Sequence, residues 1–212
     1  VGVQSSENFR DPYAAVTMAD FWRRWHITLG AWFRDYIYIP LGGSRCSRGR
    51  MLLNMGIVWL ATGVWHGSTV NYLIWAAFLF LVIGAEKLMY GRYLEGKGVL
   101  PQIIGHIYMI PMILVSWLLF AVTDVGQLLD YFIRLFSFGA EGVNPMDYVG
   151  ALKDYGAYLA VGILFCVSPV RRFFEERVKN TPLGTLVLFV VFTFCMYSVA
   201  LGQNDPFMYF GF

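Results

Sequence analysis

Two histidines stand where their chemistry matters. His66 ends an uncharged apolar run, LLNMGIVWLATGVWH from Leu52, and His26 sits among tryptophans in DFWRRWHITLGAWF. An ionisable side chain at membrane depth is a functional candidate by default, because taking it out of water is costly. A helix from Leu52 to His66 rises only ~22 Å against a hydrocarbon thickness of ~30 Å, so His66 is expected to stop inside the membrane. A neutral imidazole there can take a proton from a hydroxyl, as a general base does. It can also be a buried polar residue satisfied by its neighbours, and the residues alone leave both readings open.

The elements that position these histidines follow from composition. Hydrophobic residues make up 58% of the 212-residue chain and charged residues 14%, and the mean hydropathy is +0.55. Such values exclude an ordinary soluble domain and define a polytopic membrane protein. The apolar runs are long and continuous, not short and alternating, which selects helices over a membrane barrel. The expected fold is therefore all-α, a transmembrane helical bundle with interfacial amphipathic helices. Five spans are expected near residues 52–66, 72–85, 99–123, 155–170 and 183–201, the first two short for a full crossing. Pro111 lies inside the third, where it removes a helix hydrogen bond. Residues 1–212 read as one membrane domain, and the opening VGVQSSENFRDPYAAV reads as a loop entered from upstream, as in the C-terminal part of a longer protein.

Charge sets the expected orientation. Arg45, Arg48 and Arg50 precede the first span, Lys87, Arg92 and Lys97 follow the second, and Arg171, Arg172, Arg177 and Lys179 lie between the fourth and fifth. Basic loops of this kind are retained in the cytoplasm. His66 then lies nearer the outer end of its helix. The net charge is only +2, and it is spread over membrane-flanking loops, which suits anionic lipid headgroups and offers no footprint for nucleic acid. Three histidines on separate segments and three cysteines without CxxC spacing support neither a metal site nor a disulfide framework.

Two further segments read as interfacial. Thr17–Tyr38 opens on a Thr17/Asp20 capping arrangement and closes at Pro40 with Gly42 and Gly43. At 100° per residue Trp22, Trp25, Leu29, Trp32, Phe33 and Tyr36 share one arc, with His26 at its edge and Asp20, Arg23, Arg24 and Arg34 pointing away, as in a single helix lying along the membrane surface. Val125–Phe138 repeats the pattern with Leu128, Leu129, Phe132, Leu135 and Phe136. Asp35 is expected to pair with an arginine, and Glu86–Lys87 reads as a helix-end pair. Near His66, Asn54, Trp65 and Asn71 can line one polar opening with Ser68 and Thr69, although asparagine also favours turns.

These blocks carry a resemblance. FWRRWHITLGAWFRDYIYIPLGG (Phe21–Gly43), LLNMGIVWLATGVWHGSTVNYLIWA (Leu52–Ala76) and the tail DPFMYFGF resemble the membrane-bound O-acyltransferase superfamily. Within it the chain is similar to the bacterial alginate O-acetylation branch and to the related D-alanyl transferases of teichoic acid. The resemblance implies transfer of an acyl group, most simply acetyl, from a thioester donor such as acetyl-CoA to hydroxyls of an exported polysaccharide. It implies that His66, of the WHG element, is catalytic and that His26, of the RWH element, is the second functional histidine. It also implies a multi-pass protein of the bacterial inner membrane that works with periplasmic or extracellular polysaccharide-modifying proteins and holds no resident cofactor. The rival expectation is a non-catalytic transport or assembly component that passes acyl groups or polymer to another enzyme.

Overall fold

The structure is a computed structural model that describes residues 6–136, 146–166 and 168–201. Every regular element among them is helical. The tail DPFMYFGF lies outside the described residues, as does the end of the second interfacial segment beyond Phe136. The chain forms two compact units, Val1–Gly139 and Ala140–Phe212.

The first unit opens on a 3-10 turn, Pro12–Ala14, followed by α1 (Met18–Arg24), α2 (Ile27–Phe33) and a π-helical turn Arg34–Tyr38. Thr17 caps α1 as its sequence position suggests, its Oγ1 accepting from Asp20 N at 3.1 Å. Asp35 likewise pairs with Arg34 at 2.7 Å. The single interfacial helix expected over 17–38 is, however, broken at Trp25–His26. The break separates the aromatic residues that one continuous helix would keep in a single arc. Trp22 and Trp25 pack against the core, whereas Trp32 and Tyr36 are exposed.

α3 (Arg48–His66) covers the first expected span and extends it by one turn at its start, with Ser47 as N-cap. α4 (Val70–Ala85) does not stop where its apolar run stops. It continues through a π-helical turn, Glu86–Tyr90, into α5 (Gly91–Leu94), so the second span is 25 residues, Val70–Leu94. Lys87 and Arg92 are thus on a helix and not in a loop. α6 (Val99–Ala121) holds Pro111 within it, and α7 (Val125–Phe136) follows with Leu128 buried.

The core of this unit is built from α1, α3, α4 and α6 around Phe21, Met55, Trp75, Leu79 and Phe120. Small residues let the backbones close on one another, as helix pairs in membranes require. A Cβ on Gly63 would lie 2.9 Å from both Ala76 Cβ and Tyr72 O.

The second unit comprises α8 (Asp147–Cys166), α9 (Ser168–Phe173), a π-helical turn Phe174–Val178 and α10 (Pro182–Ala200). α10 exposes its large apolar side chains all round, which suits a helix facing lipid. Among the described residues three helices are long and apolar enough to cross a membrane, Val70–Leu94, Val99–Ala121 and Pro182–Ala200, or four if the pair Tyr148–Phe165 and Pro169–Val178, bent by 82°, is one span. Five spans are expected from the sequence. α3 stands outside the three because Arg48, Arg50, Asn54 and His66 dilute its apolar character.

Candidate active site

His66 is the last residue of α3 and only 7% exposed. Four aromatic rings from three helices surround its imidazole. Trp65 is its chain neighbour at a centroid separation of 4.8 Å, Tyr72 and Trp75 of α4 lie at 6.1 and 5.1 Å, and Phe120 of α6 lies at 5.0 Å. The cage is itself held in place. Trp75 Nε1 donates to Ser116 Oγ at 3.0 Å. Asn71 Nδ2 donates to Phe120 O at 2.8 Å, and Asn71 Oδ1 accepts from Thr69 Oγ1 at 2.5 Å. Buried amide groups satisfied in this way rigidify the packing around them.

His26 is brought to the same place by a different route. Trp65, 52% exposed, separates the two imidazoles, with its ring 6.3 Å from that of His26 and 4.8 Å from that of His66. His26 adopts a left-handed backbone, φ 49° and ψ 51°, which costs a non-glycine residue roughly 1–2 kcal/mol. A strap formed by Asn8 and Arg10 supports that conformation: Arg10 N donates to Arg24 O and Ile27 N donates to Asn8 O, each at 2.9 Å. These two bonds occupy backbone groups on either side of the break, so the helix ends are satisfied from outside. Burial holds the His26 pKa below the ordinary imidazole value, which keeps the ring neutral near pH 7.

The remaining sequence candidates divide. Trp65 and Asn71 belong to the histidine cluster, Trp65 by direct contact and Asn71 by fixing Phe120. Asn54 does not, because it lies twelve residues earlier on α3, ~18 Å along the axis. There it is fully buried, donating to Gly43 O at 3.2 Å and accepting from Arg50 Nε at 3.1 Å. It ties the turn at Gly42 and Gly43, where φ is 107° and 56°, to the start of α3.

Two features of the structure differ from or go beyond the sequence expectations. Glu86 is not a surface helix-end residue but 3% exposed. Its carboxylate accepts from Met18 N at 2.6 Å, Ala19 N at 2.9 Å and the Tyr108 hydroxyl at 3.0 Å. It therefore anchors the first turn of the helix that leads to His26. The second is a cleft of about 1020 Å³ whose lining includes Arg23, Arg34, Arg48, Lys87 and Arg92 together with Trp22 and Trp59. Trp22, Trp59 and Trp75 meet edge to face at 5.4–6.0 Å. One aromatic layer thus separates the basic cleft from the His66 cage. Among the described residues no cluster of three metal-ligating side chains occurs.

A polytopic helical membrane protein with a caged histidine, a second histidine across a tryptophan and a basic cleft beyond is the class defined by these features. The chain belongs to the membrane-bound O-acyltransferase family, whose description matches residues 2–123, a stretch that holds both histidines and the whole cage. It is similar to a probable alginate O-acetylase of Pseudomonas aeruginosa, 30% identical over 189 residues that cover 87% of this chain and 34% of that protein. A peptidoglycan O-acetyltransferase of Helicobacter pylori is 31% identical over 152 residues, covering 72% of this chain and 28% of its own. A teichoic acid D-alanyltransferase of Bacillus subtilis is 34% identical over 85 residues, 37% of this chain and 22% of its own length. The chain spans about a third to a half of the length of the alginate O-acetylases it matches.

Proposed function

We propose that this chain carries the acyl-transfer centre of a membrane O-acetyltransferase that moves an acetyl group from a cytoplasmic thioester donor to hydroxyls of an exported polysaccharide such as alginate. The observation that carries the reading is the enclosure of His66 by four rings, with His26 across Trp65, inside the segment that matches the family. His66 acts as general base. The acceptor hydroxyl oxygen attacks the thioester carbonyl carbon while His66 takes the hydroxyl proton; the C–O bond forms, the C–S bond breaks, and the proton passes to the departing thiolate. A base in this position contributes a factor of ~10²–10⁴. The aromatic walls exclude water, which would otherwise compete for the acyl group. His26 either orients the acceptor hydroxyl or polarises the acyl carbonyl.

The donor is acetyl-CoA or another acyl thioester. A polyanionic donor is supported by Arg48, Lys87 and Arg92 of the cleft, whose Arg23 and Arg34 pair with Glu95 and Asp35, since guanidinium and ammonium groups bind phosphate strongly. In a protein of the bacterial inner membrane, the Lys- and Arg-rich ends of α3 and of the α4–α5 helix face the cytoplasm by the charge rule that orients membrane helices. Polysaccharide-modifying proteins of the periplasm or cell surface receive or complete the transfer. Alginate is favoured as acceptor by the names of the relatives that cover most of this chain. The test is the ester content of the exported polysaccharide in cells carrying the complete gene with His66→Gln, after confirming normal membrane levels of the variant. Loss of ester supports the reading. Normal ester content overturns the assignment of His66 and favours a transport component.

A further inference from the structure

Asn8 touches His26 in a way that fixes which ring nitrogen carries the proton. Asn8 Oδ1 accepts from Thr28 N at 3.1 Å and from Thr28 Oγ1 at 2.8 Å. A backbone N–H can only donate, so the atom it meets is the amide oxygen and not the nitrogen. His26 Nδ1 lies 3.3 Å from that same oxygen. An oxygen that only accepts requires a donor opposite it, so Nδ1 carries the hydrogen and the lone pair of the neutral ring sits on Nε2. Phe9, one residue along the strap, lies beside the imidazole, the two rings inclined by 29° at a centroid separation of 6.2 Å.

We propose that Asn8 is a positioning residue that holds His26 as the Nδ1–H tautomer, so that Nε2 accepts a hydrogen bond from a second hydroxyl of the acceptor sugar, beside the reacting one, and does not donate one to the acyl carbonyl. This rests on the reading of His26 as part of the transfer centre and chooses between the two roles left open for it. The acceptor sugar is so oriented by His26 through that second hydroxyl, while the single proton of the reacting hydroxyl is taken by His66. The charges around the break belong to Glu7, Arg10 and Asp11 on the strap and to Asp20, Arg23 and Arg24 on α1. Glu7 pairs with Arg10, Asp20 with Arg24, and Arg23 with Glu95. From α3 the titratable ring facing His26 across Trp65 is His66.

Asn8→Asp is the informative variant, because aspartate keeps an acceptor oxygen for both Thr28 donors and for Nδ1 while adding a negative charge beside the ring. In the full-length protein in lipid nanodiscs, the pH dependence of diethylpyrocarbonate modification is read separately for the peptides containing His26 and His106, the latter exposed on α6. The expected result is an upward shift of the His26 titration by about one pH unit, from a carboxylate within hydrogen-bond distance, with His106 and the thermal unfolding midpoint unchanged. An unshifted His26 titration in Asn8→Asp overturns the proposal. Ester content of the exported polysaccharide, followed against medium pH, separates the two levels of the argument. If the acid limb of ester formation moves with the His26 titration, both stand. A titration that moves while the ester profile stays put upholds the contact between Asn8 and His26, but it overturns the hydroxyl-holding role and with it the place of His26 in the transfer centre. Asn8→Ala, which removes the oxygen, is expected to lower ester content at every pH, and restoration of that content by Asn8→Asp at alkaline pH distinguishes the oxygen's role from general damage to the strap.

Discussion

Replacing Glu86 with alanine removes the two oxygens that receive the first amides of α1, Met18 N at 2.6 Å and Ala19 N at 2.9 Å. Neither amide has an intrahelical acceptor, because the first four N–H groups of any helix lack one. Leaving a buried donor unpaired costs about 1–3 kcal/mol. Two such donors set an upper range of about 6 kcal/mol, and partial access of water to Ala19 lowers the expected cost to about 2–4 kcal/mol. The third partner is spared, since the Tyr108 hydroxyl keeps a contact with the Tyr90 hydroxyl at 3.2 Å. The loss is local to α1, whose far end leads into Trp25 and His26. Amide hydrogen exchange over Met18–Arg24 in the full-length protein is the direct assay, because it reports local opening. At 1.4 kcal/mol per tenfold, exchange should rise roughly 30- to 700-fold. Glu86→Gln keeps one acceptor and should fall between wild type and alanine. Exchange within threefold of wild type in Glu86→Ala would refute the claim that this carboxylate holds α1.

Two other substitutions test the cage around His66. Gly63→Ala puts a methyl group 2.9 Å from Ala76 Cβ and Tyr72 O, one turn before His66; overpacking of this kind costs about 1–3 kcal/mol, and the thermal unfolding midpoint should fall together with acyl transfer. Asn71→Ala frees the Phe120 carbonyl at the end of α6, a loss of about 1–3 kcal/mol, and should lower transfer more than it lowers stability, because Phe120 is a wall of the cage. Equal relative losses in the two measurements for Asn71→Ala would contradict that role.

Much of this arrangement was legible in the sequence. The uncharged run ending at His66 announced both α3 and a buried histidine, since an ionisable side chain at membrane depth faces the interior of the bundle. Thr17 announced the start of α1, and the period of Leu128, Leu129 and Phe132 announced α7. The break at Trp25–His26 was not legible. Local periodicity favours one helix across it, and what ends the first helix is Arg24 O and Ile27 N bonding to Arg10 and Asn8, partners fourteen and nineteen residues away in the chain. Glu86 was misread for a related reason. Beside Lys87 it has the pattern of an exposed pair, and only the arrival of α1 at the end of α4 supplies the amides that satisfy a buried carboxylate. The cage was half legible: Trp65 adjoins His66 in sequence, but Phe120 and the Ser116 partner of Trp75 come from α6, and no helical period links one helix to another. Asn54 looked like a companion of His66 because both interrupt the same apolar run. Their separation of twelve residues along one rigid helix assigns it instead to the turn at Gly43.

The central claim is that His66 takes the proton of the acceptor hydroxyl. The most direct measurement is the rate of labelled acetyl transfer from acetyl-CoA to exported polysaccharide in membrane vesicles bearing the complete protein with its partner proteins, wild type against His66→Gln at matched protein levels. The account predicts a fall of about 10²–10⁴ in rate with little change in the unfolding midpoint. A rate within fivefold of wild type would contradict it.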